Sequence, residues 1–208
     1  MTADDSWKPQ ADPATDVVLD ARGLRVLAHP LRLRLLRLLR QGPATATGLA
    51  QRTGLTSGAT SYHMRQLAAV GLVAEDTERG NARDRWWRAV HRRTLFSDLD
   101  LAHSEPEATL AYLLSVAASH AETARNTLDA LDAMPERWQE VTWFSDATLR
   151  LTPEETKRML HEVHEVVSRY RNETAEGVPD APEGAGRVSL IMQLLPDPRS
   201  VPETDGAR

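Results

Sequence analysis

The residues best suited to chemistry lie between Ser57 and Arg65, where Ser57, Gly58, Ala59, Ser61, Tyr62, His63 and Arg65 set small and hydroxyl-bearing side chains beside one imidazole and one guanidinium. On a helix, such a face suits entry into a DNA major groove. Short polar groups meet base edges and a cation meets phosphate, whereas a bulky apolar face would not fit. Arg79, Asn81, Arg83 and Arg85 follow in a turn rich in Arg, Gly and Asn, where they can meet phosphates or an adjacent minor groove.

Other chemistry is thinly represented. There is no cysteine nucleophile, Gly-rich phosphate loop, Gly-x-Ser-x-Gly elbow or His-Glu-x-x-His, so the sequence argues against an enzyme. His161 and His164, with Glu165 beside them, share a helical face at a spacing that can chelate a divalent metal. They would need partners such as Asp100 or His103, and an exposed His pair on an amphipathic helix is more often plain surface. No metal or other cofactor is therefore assigned.

The stretch Thr45 to Val73 has to position the polar face. Leu49 and Ala50 fall on a first short helix and Thr60, Met64 and Leu67 on a second, with Gly71 continuing the second helix's inward spacing of 4, 3 and 4. Gly54 supplies a turn that tolerates positive φ, Leu55 an apolar plug, and Thr56 or Ser57 a cap for the second helix. Two strands, about Leu72 to Glu75 and Arg85 to Val90, flank the basic turn and read as a wing.

Upstream, Val17, Leu24, Leu27 and Ala28 predict a helix from Asp16 that stops near His29-Pro30. Pro30 then opens a second helix, with Leu31, Leu35, Leu38 and Leu39 as its buried stripe. Arg32, Arg34, Arg37 and Arg40 occupy the remaining directions and read as a solvated face with occasional phosphate contact. Gln41-Gly42-Pro43 ends that helix.

Over residues 17 to 95 the sequence resembles the ArsR-type winged helix-turn-helix regulators of prokaryotes. The resemblance rests on Leu49-Ala50, Gly54-Leu55, the Ser61-Tyr62-His63-Met64 stretch that is similar to the family's Ser-x-His-Leu, and Gly71-Leu72-Val73 leading into the wing. It implies DNA binding with repression as the usual mode, and a DNA contact from His63, whose other reading is to buttress the recognition helix against the wing. Many members sense metals through thiolates, which a chain without cysteine cannot do. Some cysteine-free members use His and carboxylates on a late helix, but the spacing of His161 and His164 does not match that set.

A net charge of −5 is the wrong sign for a nucleic-acid binder until it is divided along the chain. Residues 20 to 93 hold 14 Arg against 5 Asp or Glu, a net +9, which leaves −14 for the remainder. The basic charge is thus confined to the proposed reading module. No run approaches the roughly 18 to 20 apolar residues of a membrane span, and the acidic start does not resemble a signal peptide, so a cytoplasmic location is expected.

The expected fold class is α+β, mainly α: an N-terminal winged helix-turn-helix domain plus a C-terminal α/β unit with a long dimerisation helix. Residues 1 to 15 form a disordered arm, 16 to 96 the winged domain, 97 to 135 a connector and the long helix, 136 to 196 the small α/β unit, and 197 to 208 a disordered tail. Ser104-x-x-Glu107 reads as a capping box for a helix running to about Ala133. Along it Leu110, Leu114, Ala117, Ala121, Ala124, Leu128 and Leu131 recur at alternating spacings of 4 and 3. That is either a dimer seam or the core face of the subunit's own helix.

In the C-terminal unit, residues 136 to 144, 147 to 151 and 187 to 195 read as strands. Between them a helix capped by Thr152 to Glu155 buries Met159, Leu160, Val163, Val166, Val167 and Tyr170. Trp86 and Trp87, adjacent on a strand, must point to opposite faces. Trp138, Trp143 and Phe144 fill a core or line an apolar pocket.

These features predict a homodimeric transcriptional regulator bound to double-stranded DNA at a two-fold symmetric operator, with no membrane partner. Two other readings stay open. One is a regulator whose C-terminal unit senses an apolar small-molecule effector, and the other is a winged-helix interaction module that does not bind DNA.

Overall fold

The computed structural model describes residues 11–13, 15–79, 85–170 and 182–201. The chain begins with a strand rather than a helix: β1 (Asp16–Val18) pairs in parallel with β5 (Arg93–Leu95), with Asp16 opposite Arg93. Arg93 donates to both carboxylate oxygens of the buried Asp16, at 2.9 and 2.5 Å. Helix α1 (Ala21–Leu27) therefore starts later than the apolar spacing predicts, at Asp20, whose side chain caps Gly23 N–H.

Helix α2 (Pro30–Arg40) follows, with Pro30 in its first turn. Its buried face is Leu33, Leu35, Leu36 and Leu39, while Leu31 and Leu38 pack at the margin. The core face is thus turned from the predicted stripe towards Leu33 and Leu36. The cause lies in a second packing partner, because α2 touches α1, α4 (Ser57–Ala68), strand β4 (Trp86–Ala89) and the long helix α6 (Pro106–Asp129).

A short strand β2 (Ala44–Thr45) joins β4, and β4 pairs with β3 (Val73–Glu75) in the antiparallel order β2-β4-β3. Trp87 enters the core and Trp86 is half-buried on the other face. Helix α3 (Ala46–Thr53) ends at Gly54, at φ 74° and ψ 23°. Glycine holds this left-handed position without Cβ strain, and Leu55 N–H then reaches back to Ala50 O at 3.0 Å. A Cβ on Gly54 would touch nothing within 4 Å, so any cost of substitution comes from the backbone alone. Gly54→Ala is expected to lower unfolding stability by about 1 kcal/mol in urea titration, with the m-value unchanged.

Leu55 is not a plug, since it stands partly exposed beside the turn. Gly71 likewise leaves the inward stripe: it lies exposed at φ 70°, letting Leu72 N–H close on Leu67 O.

Past the wing, residues 97 to 103 are more than a connector, because α5 (Leu99–Ser104) forms there with Asp98 as its cap. The capping box of Ser104 and Glu107 is not made. Ser104 Oγ donates to Leu101 O instead, and α6 opens at Pro106 without a side-chain cap. Glu105 binds Arg25 of α1 through two hydrogen bonds. Helix α6 ends at Asp129, and a 3-10 turn covers Leu131–Ala133.

The arginines of α2 are not all solvated. Arg37 donates to Ser119 O, Ser119 Oγ and Thr123 Oγ1 of α6, and Arg34 pairs with Glu122 at 2.9 Å. Arg40 is half-buried, donating to His91 O and Thr94 Oγ1, and loss of water around it pulls its pKa down to about 10. The side of α6 that meets this subunit carries Thr109, Tyr112, Ser115 and Ser119. Leu110 and Leu114, each 61% exposed, and Leu128, at 50%, face away from the subunit's core. Among the described residues these three leucines of the seam therefore do not form the core face of their own subunit.

Among the described residues of 136 to 196 no strand forms, so the expected α/β unit is absent from them. Glu136–Gln139 is a turn of helix, α7, launched by Pro135, whose carbonyl accepts from Trp138 N–H. Residues 147 to 151 and 187 to 195 run without ladder partners, and β-prone composition makes a strand only where another strand is aligned beside it. Helix α8 (Pro153–Ser168) does form, with the capping box between Thr152 and Glu155 complete. With no sheet to pack on, none of its residues is fully buried, and Val166 and Tyr170 are exposed. Trp143 and Phe144 also stand exposed rather than filling a core.

Candidate nucleic-acid interface

Helix α4 is held from beneath. Thr60, Met64 and Leu67 are fully buried against α2 and α3, and Thr60 Oγ1 donates to Thr56 O at 3.0 Å. Thr56 is the cap, accepting from Ala59 N–H at 3.2 Å, so the hydroxyl of Ser57 is left on the helix surface. With Met64 and Leu67 fixed, the helical period decides what faces outward.

Ser57, Gly58, Ala59, Tyr62 and Arg65 are exposed, Ser61 is half-buried, and Tyr62 retains 50% of its surface. Arg65 bends back so that its Nε donates to Ser61 O at 3.3 Å, leaving the tip of the guanidinium for a partner. His63 differs from the rest. It is partly buried, with its ring 4.8 Å from His29 and edge-on to Tyr62 at 5.3 Å. Burial, then His29 and Arg32, lower its pKa, so it is a neutral imidazole near pH 7. The family resemblance made His63 a DNA contact; in the fold its half-buried ring packs between α4 and the start of α2.

On the wing, Arg79 lies 3.5 Å from Asp76 and Arg85 3.2 Å from Glu75; both guanidiniums are largely solvated, and the Arg85 pair, exposed on both sides, is weak. Asn81 and Arg83 lie outside the described residues. Arg52 at the end of α3 is a further exposed cation beside α4, fixed to Gln41 at 2.7 Å and overlooked from sequence, where it lacked a periodic signal.

His161 lies 3.6 Å from Glu165 along α8, and among the described residues no three His, Asp or Glu side chains gather as a metal set. Asp100 and His103 sit on α5 and α8 carries the His pair, so the expected partners belong to separate helices. Among the described residues no helix is long and apolar enough to cross a membrane.

A helix pair joined by a left-handed glycine turn, followed by a β-hairpin wing, defines a winged helix-turn-helix DNA-binding domain. A family model described as a helix-turn-helix domain matches residues 27–76. The HTH-type transcriptional regulator NmtR of Mycobacterium tuberculosis is 43% identical over 56 residues, 27% of this chain and 47% of that protein. The chain thus spans about half the length of this curated relative.

Two solved structures are also similar. One is the homodimeric winged helix-turn-helix domain of a Mycobacterium bovis protein described as a possible ArsR-family regulator, at 27% identity, covering 48% of this chain and 77% of that one, with a TM-score of 0.32. The other is described as a "possible transcriptional regulator for arsenical resistance", at 32% identity, 54% of this chain and 97% of that one, with a TM-score of 0.30. Over residues 27–76 the chain thus carries a helix-turn-helix domain, similar in sequence to that of a transcriptional regulator.

Proposed function

We propose that the protein is a sequence-specific, homodimeric transcriptional repressor that binds a two-fold symmetric operator. The observation that carries the reading is the face of α4. A helix anchored by Thr60, Met64 and Leu67 presents Ser57, Gly58, Ala59, Ser61, Tyr62 and Arg65, a set small enough for the major groove and polar enough to read it. Arg79 and Arg85 on the wing, with Asn81 and Arg83 of the same turn, would hold flanking phosphates. The net +9 of residues 20 to 93 supports the same reading.

Dimerisation is supported by the outer face of α6, where Leu110, Leu114, Ala117, Ala121 and Leu128 repeat in heptad fashion and lie exposed in the single chain. Small residues at its centre allow two such helices to approach closely. Pairing along α6 would set two α4 helices at a fixed distance, and a dimer seated on promoter DNA represses by occlusion.

The test is selection from random duplex DNA at two salt concentrations, with sequencing of the bound fraction. A two-fold symmetric motif with half-sites about 10 base pairs apart, or a small multiple, is the expected result. Salt-sensitive binding without any motif would show that the module only holds phosphates. In the same assay Arg65→Ala is expected to reduce the slope of log affinity against log salt by about 0.9, one phosphate's share. An unchanged slope would remove Arg65 from the phosphate contacts.

A further inference from the structure

We propose that His29, Arg32 and His63 form a phosphate-binding site at the junction of α2 and α4, filled by one backbone phosphate when duplex DNA is bound. The proposal rests on the DNA-binding reading above and adds a contact outside the face of α4.

The site is built from side chains rather than from a helix end. Leu31 N–H donates to His29 Nδ1 at 3.2 Å, and Arg32 and Leu33 N–H both reach His29 O, so the first turn of α2 has no N–H to spare among them. Because Nδ1 accepts, the neutral ring of His29 must carry its proton on Nε2. An exposed residue thus offers a donor of fixed tautomer. Arg32 spends one NH1 bond on Val26 O at 3.0 Å and has no acidic partner among the described residues. Two nitrogens of the cluster, Arg32 Nε and His63 Nδ1, are sealed from solvent without a hydrogen-bond partner. A run of rings, His29 to His63 at 4.8 Å and His63 to Tyr62 at 5.3 Å, links this cluster to the groove-facing side of α4.

The charges point the same way. Facing His63 from α2 are His29 and Arg32, and from its own helix Tyr62; among the described residues no carboxylate acts on either histidine. Burial first, and then the positive neighbours, hold both histidines below the ordinary value. A phosphate would supply what the cluster lacks: acceptors for His29 Nε2–H and the Arg32 guanidinium, and a negative charge that raises both histidine pKa values. Proton uptake then accompanies binding, so affinity rises as pH falls through the histidine range.

The test uses the full chain and the duplex recovered by selection, with anisotropy titrations at pH 6.0 and pH 8.0 at constant ionic strength. Wild type is expected to bind several-fold more tightly at the lower pH. His63→Gln and His29→Gln should each remove most of that gap, and Arg32→Gln should lower the salt slope by about 0.9. Histidine Cε1–H titrations of the wild type by NMR provide a readout that does not depend on variants folding. Duplex should raise the apparent pKa of His29 and His63, and inorganic phosphate, compared with chloride at equal ionic strength, should raise both by less. Operator binding with the same pH profile in both histidine variants and unmoved histidine titrations would overturn the site while leaving the DNA reading intact. If no duplex binds at any salt, the DNA reading fails, and the inorganic phosphate arm decides alone: a raised pKa keeps an anion site for a phosphate of another source, and no change removes it.

Discussion

Leu114→Glu is expected to convert the protein from dimer to monomer in sedimentation velocity and to lower its affinity for a two-site operator by about 10²-fold or more. Leu114 lies at the centre of the outer face of α6, 61% exposed in the single chain, four residues from Leu110 and three from Ala117. A carboxylate there costs the monomer almost nothing, because water already reaches the position. In a closely packed helix pair related by a two-fold axis, it would be desolvated beside its own copy, a like-charge arrangement no side chain of the seam relieves. Each monomer would keep its reading head and lose the second half-site, so binding to a single half-site should change little. Circular dichroism melts of the variant at low concentration should match those of the wild-type monomer. A variant that remains dimeric would place the interface elsewhere and leave the leucines of α6 for another partner.

The second large effect concerns stability. Arg93→Ala is expected to destabilise the fold by roughly 2 kcal/mol at pH 7, less than the about 3–5 kcal/mol of a fully buried broken pair, because Arg93 itself is 43% exposed and solvent screens it. The substitution strands the carboxylate of Asp16, which lies buried where β1 meets β5. Hydrogen bonds from Arg93, the largest influence, lower the pKa of Asp16 from 3.8 to about 2 against an opposing effect of burial. Between those values the unfolded chain binds more protons than the folded one. The pair's contribution is therefore complete above about pH 4.5 and is lost as pH falls through about 2. Urea titrations of wild type from pH 5 to pH 2 should show that decline, and Arg93→Ala should flatten it. A decline of equal depth in the variant would assign the acid sensitivity to other carboxylates.

Both effects depend on long-range placement, and they separate what was legible in the sequence from what was not. The reading head could be read from residues 45 to 90 because its signals are local. A helical period fixes Thr60, Met64 and Leu67 inward, which forces Tyr62 and Arg65 outward. Gly54 marks a left-handed turn that other residues enter only at a cost, and the wing is a hairpin of neighbouring strands.

By contrast, the parallel pairing of Asp16 with Arg93 joins residues 77 apart, and nothing near either one announces the other. The arginines of α2 share one local pattern, yet Arg40 is bound to His91 and Thr94 and Arg37 ties down α6, since only the arrival of α6 and β5 decides which guanidiniums lose water. The same β-prone spacing that was right for the wing was wrong at residues 187 to 195, where no second strand lies alongside.

The heptad pattern of α6 was visible in the sequence, but its meaning was not. Tyr112, Ser115 and Ser119 form the inward side of that helix, and their contacts with α1 and α2 turn the leucines outward. The sequence by itself therefore determined the reading helix and its turn and narrowed its cap to Thr56 or Ser57, because each depends on residues within a few positions of one another. Tertiary structure alone decided which face of α6 is free, which arginines are tied down and where His63 stands against His29. Those outcomes are set by packing between segments distant in the chain.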